Sequence, residues 1–252
     1  MPGESSTDRH WKRWGVTDPY FAVLTADEYH ADKLDSAARQ RFFDSGEEHV
    51  KAAFNVIRSH LDADFAPERC LDFGCGVGRT LIPLARRSSE AVGVDISPAM
   101  LAEAKRNCQA MAVENVAFAE SDAGLSRVIG QFDFIFSTIV FHHIRTEQGY
   151  PLFGALLGKL RPRGVIALQF LYKVRGSMLL TAARWAQARV PLAHGMVNLV
   201  RGRPVGAPSM EGNVYSLERL FEILEQLGFR TAVSQVMRHE MCSYVTLYAQ
   251  KE

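Results

Sequence analysis

The 252-residue chain is poor in cysteine, almost without net charge and free of long apolar runs. Each scarcity excludes something. The four cysteines, Cys70, Cys75, Cys108 and Cys242, form no pair with metal-ligand spacing. They read as free thiols of a reducing compartment, and no metal is expected. No stretch approaches the ~20 apolar residues of a membrane span. The opening Met-Pro-Gly-Glu-Ser-Ser-Thr-Asp lacks the apolar centre of a secretion signal, so a cytoplasmic location is expected. A formal net charge of +1 gives no general pull toward nucleic acid, and no RNA-binding module is evident.

Acid is missing from one long stretch. From Gln148 to Met210 there is no Asp or Glu, while nine basic residues occur: Lys159, Arg161, Arg163, Lys173, Arg175, Arg184, Arg189, Arg201 and Arg203. Residues 1–68 show the reverse, with thirteen acids against eight Lys and Arg. Such asymmetry either draws in an anionic substrate or is a solvated face whose charges pair within the chain. The apolar residues from Met178 to Val200 also allow an amphipathic helix in weak contact with a membrane surface.

What is present is a loop of unusual wording. A short apolar strand ends in Asp72, and Gly74, Gly76 and Gly78 follow at alternate positions. A second acid, Asp95, closes the next apolar run. Glycines let the chain leave a strand and turn at once into a helix, and let the backbone lie against a ligand. Asp95 falls where an acid accepts from ribose hydroxyls at the tip of a second strand. A dinucleotide site requires G-x-G-x-x-G, but the third glycine position is Arg79. S-adenosylmethionine (SAM) fits better. It has no phosphate, and its amino group needs an acceptor such as Asp72.

Strand and helix signals alternate after residue 46. Val50, Phe54, Ile57 and Leu61 share one face of a helix over 47–61. Strands are expected at 69–74, 91–95, 115–120, 132–138 and 163–171. Helices are expected at 78–87, 97–111 and 147–160, with Ser97-Pro98 as a cap. Ser216 opens a further helix that Gly228 stops. Residues 229–236 and 243–249 read as an antiparallel hairpin. The pattern predicts an α/β fold with a doubly wound, mostly parallel sheet, a single domain over 1–252. Asp72, Asp95, Asp122 and the stretch after Thr138 then meet at the carboxyl edge of the sheet. Residues 1–45 and 172–214 stand outside this core. Both are long for connections and read as covers over that edge.

The chain resembles the class I SAM-dependent methyltransferases. Leu71-Asp-Phe-Gly-Cys-Gly-Val-Gly is similar to their first motif and Val92-Gly-Val-Asp-Ile-Ser to their second. Ala119-Glu-Ser-Asp-Ala and Phe132-Asp-Phe-Ile-Phe-Ser-Thr resemble the third and fourth. Leu160-Arg-Pro-Arg-Gly-Val resembles the turn before strand five, with Arg163 in place of a glycine. The resemblance implies a seven-stranded Rossmann-like sheet with its last strand antiparallel between strands five and six. It implies that Gly74, Cys75, Gly76 and Gly78 contact the methionine part of SAM, with Asp72 near the amino group. Asp95 would hold the ribose and Ile96 would pack on adenine. Asp122 would accept from the adenine amino group, the Ala123 N–H would reach a ring nitrogen, and Thr138 would border the sulfonium.

The cofactor supplies the methyl group, so the protein must align a nucleophile and remove its proton. His142 and His143 follow strand four at the right edge. Adjacent residues point apart, so one of them is expected as the base, His143 ahead of His142. Tyr20, Tyr29 and Tyr172 are candidate substrate contacts from the covers. The stretch after Ser137 lacks Asn/Asp-Pro-Pro-Tyr, which argues against methylation of DNA bases. It also lacks an acid placed to hold Mg2+. The expected acceptor is a small molecule, a sugar or biosynthetic intermediate, methylated on oxygen. Nitrogen methylation, a SAM-binding regulator without turnover, and a dehydrogenase are the alternatives.

Overall fold

The computed structural model describes residues 6–175, 212–239 and 241–252. Its strands are β1 (Arg69–Phe73), β2 (Glu90–Asp95), β3 (Val116–Glu120), β4 (Phe132–Ser137), β5 (Leu160–Val174), β6 (Thr231–His239) and β7 (Cys242–Gln250). They form one seven-stranded sheet in the order β3-β2-β1-β4-β5-β7-β6. The first five run parallel, and β7 lies antiparallel between β5 and β6. The order reverses between β1 and β4, which places the switch-point crevice beyond the carboxyl end of β1.

The helices are α1 (Ser6–Thr17), α2 (Pro19–Val23), α3 (Ser36–His60), α4 (Leu81–Ala85), α5 (Pro98–Ala110), α6 (Thr146–Gly158) and α7 (Leu217–Gln226). Short 3-10 turns cover Asp27–Tyr29 and Phe141–His143. Alternation along the strands divides the core between two faces. Cys70, Phe134, Phe136 and Ala167 face a cluster with Phe54 and Ile57 of α3, Leu84 of α4 and Met100 of α5. Leu71, Phe73, Ile135 and Leu168 face Phe153 and Leu156 of α6 and Leu220 of α7. Burying both faces is what makes these strands near-continuous apolar runs. Burial also pushes the Cys70 thiol up to about 12 and the Cys108 thiol up to about 11, so both stay protonated and unreactive at neutral pH.

Several boundaries depart from the sequence expectations, among them the helix expected at 78–87, which is confined to Leu81–Ala85. The helix expected from 47 begins at Ser36, with Asp35 accepting from the Ala38 N–H at 2.7 Å. Gly46, just before the expected start, lies inside the helix. A Cβ there would stand 2.0 Å from the Arg79 carbonyl oxygen, so close approach explains the glycine. Residues 36–45, expected outside the core, are therefore part of this helix. β5 starts at Leu160 rather than at 163, because the expected turn is a bulge within the strand: Leu160 pairs with Phe132 and Val165 with Phe134. Arg163 there has φ 63 and donates its N–H to the Lys251 carbonyl at 2.9 Å. The hairpin strands run further than expected, Val233 and Met237 pairing with Tyr248 and Tyr244.

The 172–214 cover falls mainly on residues 176–211, outside the described residues. The expected membrane-surface helix lies there too, as do Arg184, Arg189, Arg201 and Arg203. Of the other basic residues in the acid-free span, three stand at the opposite, amino edge of the sheet. Lys159 donates to the Val128 carbonyl at 2.5 Å, Arg161 pairs with Asp133 at 3.0 Å and Arg163 with Asp62 at 3.5 Å. These three match local partners and do not face the carboxyl edge. Among the described residues no helix is long and apolar enough to cross a membrane.

Candidate cofactor and acceptor site

The loop after β1 has the conformation its glycines permit. Gly74, Gly76 and Gly78 have φ of 75°, 53° and 92°, values that side chains with a Cβ rarely adopt. Gly74 and Cys75 donate to the Val94 carbonyl at 2.7 and 3.0 Å, which ties the loop to the end of β2. A Cβ at Gly74 would lie 2.3 Å from Val140 Cγ2, and one at Gly76 would lie 2.7 Å from Val23 Cγ2. The loop is thus enclosed by the segment after β4 on one side and by α2 on the other.

Asp95 organises this loop directly. Its carboxylate accepts from the Gly76 N–H at 3.0 Å and from the Ser97 N–H at 2.9 Å. Ser97 in turn caps α5, accepting from the Met100 N–H. Part of Asp95 is open to solvent, yet its carboxyl is ringed by protein, and burial pushes it up to about 6. Asp72 is only 1% exposed. It accepts from Thr80 Oγ1 at 2.8 Å, and burial pushes it up to about 7 against the pull of that bond and of nearby Arg79. Desolvation dominates both shifts, since a carboxylate taken from water favours its neutral form. A ligand ammonium would reverse that balance.

Asp122 closes its own loop. Its carboxylate accepts from Gly124 N–H at 2.9 Å, Ser126 N–H at 3.0 Å and Ser126 Oγ at 2.5 Å. These bonds, the Ser126 hydroxyl first, hold it below the usual carboxylate range. Ala123 beside it is exposed, and Ile96 keeps part of its side chain open. The Ser121 N–H donates to the Asp95 carbonyl at 2.9 Å, so the ends of β2 and β3 stand side by side.

The end of β4 carries a feature that the motifs do not reach. Ile139 has φ 61, which is strained for a β-branched residue. Its N–H donates to Gln169 Oε1 at 3.1 Å, and Thr138 Oγ1 donates to the same oxygen at 3.3 Å. Gln169 is buried on β5. As a polar residue inside the apolar run Val165–Leu171, it carried a signal in the sequence. The 3-10 turn that follows sets His142 and His143 inward, both buried. Their rings lie 3.9 Å apart; His143 meets Trp11 of α1 at 4.7 Å, and His142 meets Tyr244 of β7 at 5.5 Å. Burial, with the neighbouring His143, holds His142 well below the usual imidazole value. It is therefore neutral at physiological pH, and its Nδ1 is buried without a hydrogen-bond partner among the described residues.

Two of the three tyrosines stand elsewhere. Tyr20 donates to Glu103 at 2.6 Å and packs against Phe42 in the core, and Tyr29 packs on the same ring. From that segment it is Val23 that touches the glycine loop. Tyr172 is partly buried against the α6–α7 face. Among the described residues no group of three or more His, Cys, Asp or Glu gathers as a metal site requires. The structure thus brings Asp72, the glycine loop, Asp95, Asp122, Thr138 and the histidine pair to one edge, with α1 and α2 over it.

This edge matches known proteins. Residues 70–164 match a family model described as a methyltransferase domain. A magnesium-protoporphyrin O-methyltransferase of Rhodobacter capsulatus is 29% identical over 163 residues, 62% of this chain and 68% of that protein. The chain spans less of the other curated relatives it matches, 63% or under. A solved magnesium protoporphyrin IX methyltransferase from Synechocystis PCC 6803, with S-adenosylhomocysteine bound, aligns with TM-score 0.59 at 20% identity, over 94% of this chain and 99% of that one. The N-methyltransferase NodS of Bradyrhizobium japonicum WM9, also in complex with S-adenosylhomocysteine, gives 0.57 at 16% identity, over 98% and 99%. At such identities the structures speak for the fold alone. The sheet order and the glycine loop agree with the matched model: residues 70–164 match a methyltransferase domain, set in the fold of the solved methyltransferases.

Proposed function

We propose that this chain, acting as a single domain with an N-terminal cover, transfers the methyl group of SAM to an oxygen of a small molecule. The observation that carries the reading is the buried His142–His143 pair at the carboxyl edge, one turn beyond the strand that borders the cofactor loop.

The residues present fit the cofactor. The glycine loop has three positive-φ residues that let its backbone turn at the end of β1, and the chemistry of the acids matches the ligand. Asp72 would accept from the methionine amino group beside the cradle of Gly74, Cys75, Gly76 and Gly78. Asp95 would accept from ribose hydroxyls, while Ile96 packs on adenine. Asp122 has three local donors on a carboxylate with about four acceptor sites, which leaves room for the adenine amino group. The Ala123 N–H would serve a ring nitrogen, and Thr138 would border the sulfonium. When bound, SAM supplies an activated methyl group.

The chain's own part is alignment and proton removal. An acceptor hydroxyl gains little as a nucleophile until its proton has somewhere to go, and a neutral imidazole can take it. Trp11 and Tyr244 flank the two rings and exclude water from them. His143 is the proposed base, with His142 as its neighbour. Nitrogen methylation is the second reading, since an amine needs less help from a base.

Two measurements test the proposal. Calorimetric titration should give micromolar binding of SAM and S-adenosylhomocysteine and none of NAD; binding of NAD alone would sink it. Mass spectrometry of small hydroxylated and amino acceptors incubated with SAM should then show a gain of one methyl on oxygen. Tight SAM binding with no acceptor turned over would favour a regulator.

A further inference from the structure

The buried face of α1 carries polar groups that the described residues do not satisfy. Among those residues Trp14 Nε1 and Thr7 Oγ1 are buried and find no hydrogen-bond partner. Thr7, Trp11, Trp14 and Gly15 fall on one face at the 3.6-residue period. Unmatched buried donors are costly, and a native protein retains them where something else completes the bond.

The position of Trp14 is bracketed on two sides. Next to it, Gly15 rests on Ser97, directly after β2: a Cβ there would stand 2.3 Å from Ser97 Oγ. One turn earlier, Trp11 packs on His143, beyond β4. These two strands flank β1 in the sheet and lie about 10 Å apart. Gly15 and Trp11 are separated by about 6 Å of helix rise, and the indole of Trp11 spans the remainder. α1 therefore crosses the carboxyl end of β1, above the glycine loop. A second path agrees: the Trp14 ring lies 5.8 Å from Phe21 of α2, the helix whose Val23 touches Gly76.

We infer that Trp14 is a cofactor-positioning residue, whose indole N–H donates to the carboxylate of the methionine part of SAM. This rests on the cofactor reading above. An indole N–H can only donate. Over the end of β1, on the β4 side of Asp95, the ligand part in reach is the methionine moiety. Its ammonium is a donor, so its carboxylate is the acceptor that matches. The bond is charge-assisted and shielded from water by α1 itself.

The test uses the full chain and two probes, S-adenosylhomocysteine and 5′-methylthioadenosine, which lacks the amino-acid part. Trp14→Phe keeps an aromatic ring and removes the donor; circular dichroism and thermal melting confirm its fold. Calorimetry is expected to show S-adenosylhomocysteine bound about 10- to 100-fold more weakly by the variant, the range for a hydrogen bond to a charged group. Methylthioadenosine should bind both proteins equally. Equal loss for both probes would overturn the inference, because Trp14 would then act only by packing α1. Unchanged binding of both would overturn it too, with the cofactor site intact. If neither probe binds the unaltered protein, it is the cofactor reading that fails. Should Trp14→Phe not fold, Trp14→His restores a ring N–H and is expected to retain the discrimination between probes; its absence there would also overturn the inference.

Discussion

Gly15 of α1 presses on the hydroxyl of Ser97, leaving room for no side chain between the cover helix and the residue that caps α5. The contact fixes one end of α1 two residues past Asp95. Gly15→Val should lift this end and loosen the cover. Because α1 lies outside the sheet, thermal stability should fall little while S-adenosylhomocysteine binding weakens by ~10-fold or more. Calorimetry beside a melting curve separates the two; binding unchanged in a folded variant would show that α1 is not part of the site.

Asp95 has a double task, holding the Gly76 and Ser97 N–H groups in the structure and, as proposed, the ribose. Asp95→Ala leaves those donors unmatched, so cofactor binding should weaken by about 1–3 kcal/mol. An affinity equal to that of the unaltered chain removes Asp95 from the site.

The buried carboxyls give binding a pH dependence of definite sign. Asp72 and Asp95 are raised by burial to about 7 and about 6 in the folded chain, above their ordinary values near ~4. The folded state then holds extra protons between ~pH 4 and ~pH 7. Their contribution to stability is fully present below ~pH 4 and is lost as pH rises through 6 and 7. Binding follows the opposite course. A cofactor ammonium requires Asp72 ionised, so affinity should rise by up to about ten-fold per unit as pH approaches 7. Titrations in buffers of different ionisation enthalpy should detect proton release near pH 6.5. An affinity flat from pH 6 to 8 would rule out Asp72 as the amino acceptor.

For the histidine pair, His143→Ala should lower turnover by ~10²-fold with cofactor binding kept. His142→Ala should act less on turnover and more on acceptor KM. Full activity in both variants would leave alignment alone as the catalytic device.

Gly46 decides between two principles. In an open helix Gly→Ala gains up to ~1 kcal/mol. Here the added Cβ would meet the Arg79 carbonyl at 2.0 Å, so Gly46→Ala should destabilise by roughly 1–3 kcal/mol. Urea unfolding measures it, and a stabilised variant would contradict the packing described.

Much of this was legible because strand-end chemistry and element order are local. Asp72, the glycines and Asp95 lie within one strand-turn-helix-strand unit, and Ser97-Pro98 announces its own cap. What escaped was set by tertiary approach. Gly46 falls outside the expected helix, and the reason for a glycine there, the backbone of Arg79, lies 33 residues on. Trp11 and Trp14 read as generic aromatics of a cover because helical phase alone does not say what lies beneath. Gln169 also escaped, although it is a lone polar residue in an apolar strand, because its partner Ile139 owes its backbone conformation to a turn without glycine. Tyr20 drew notice for its hydroxyl, which the fold commits to Glu103 and Asn107.

The antiparallel placement of β7 also sets an order of events during synthesis. β5 pairs along its length with β7, and β7 is made after every other strand of the sheet. Until residues 242–250 have emerged, the run Val165–Leu171 presents an open, apolar edge of the kind that pairs with other chains. The nascent protein can assemble β1 to β5 beforehand but remains exposed to misassociation until its hairpin folds back. Cellular yield should therefore depend on chaperone capacity more steeply than the stability of the finished protein would indicate.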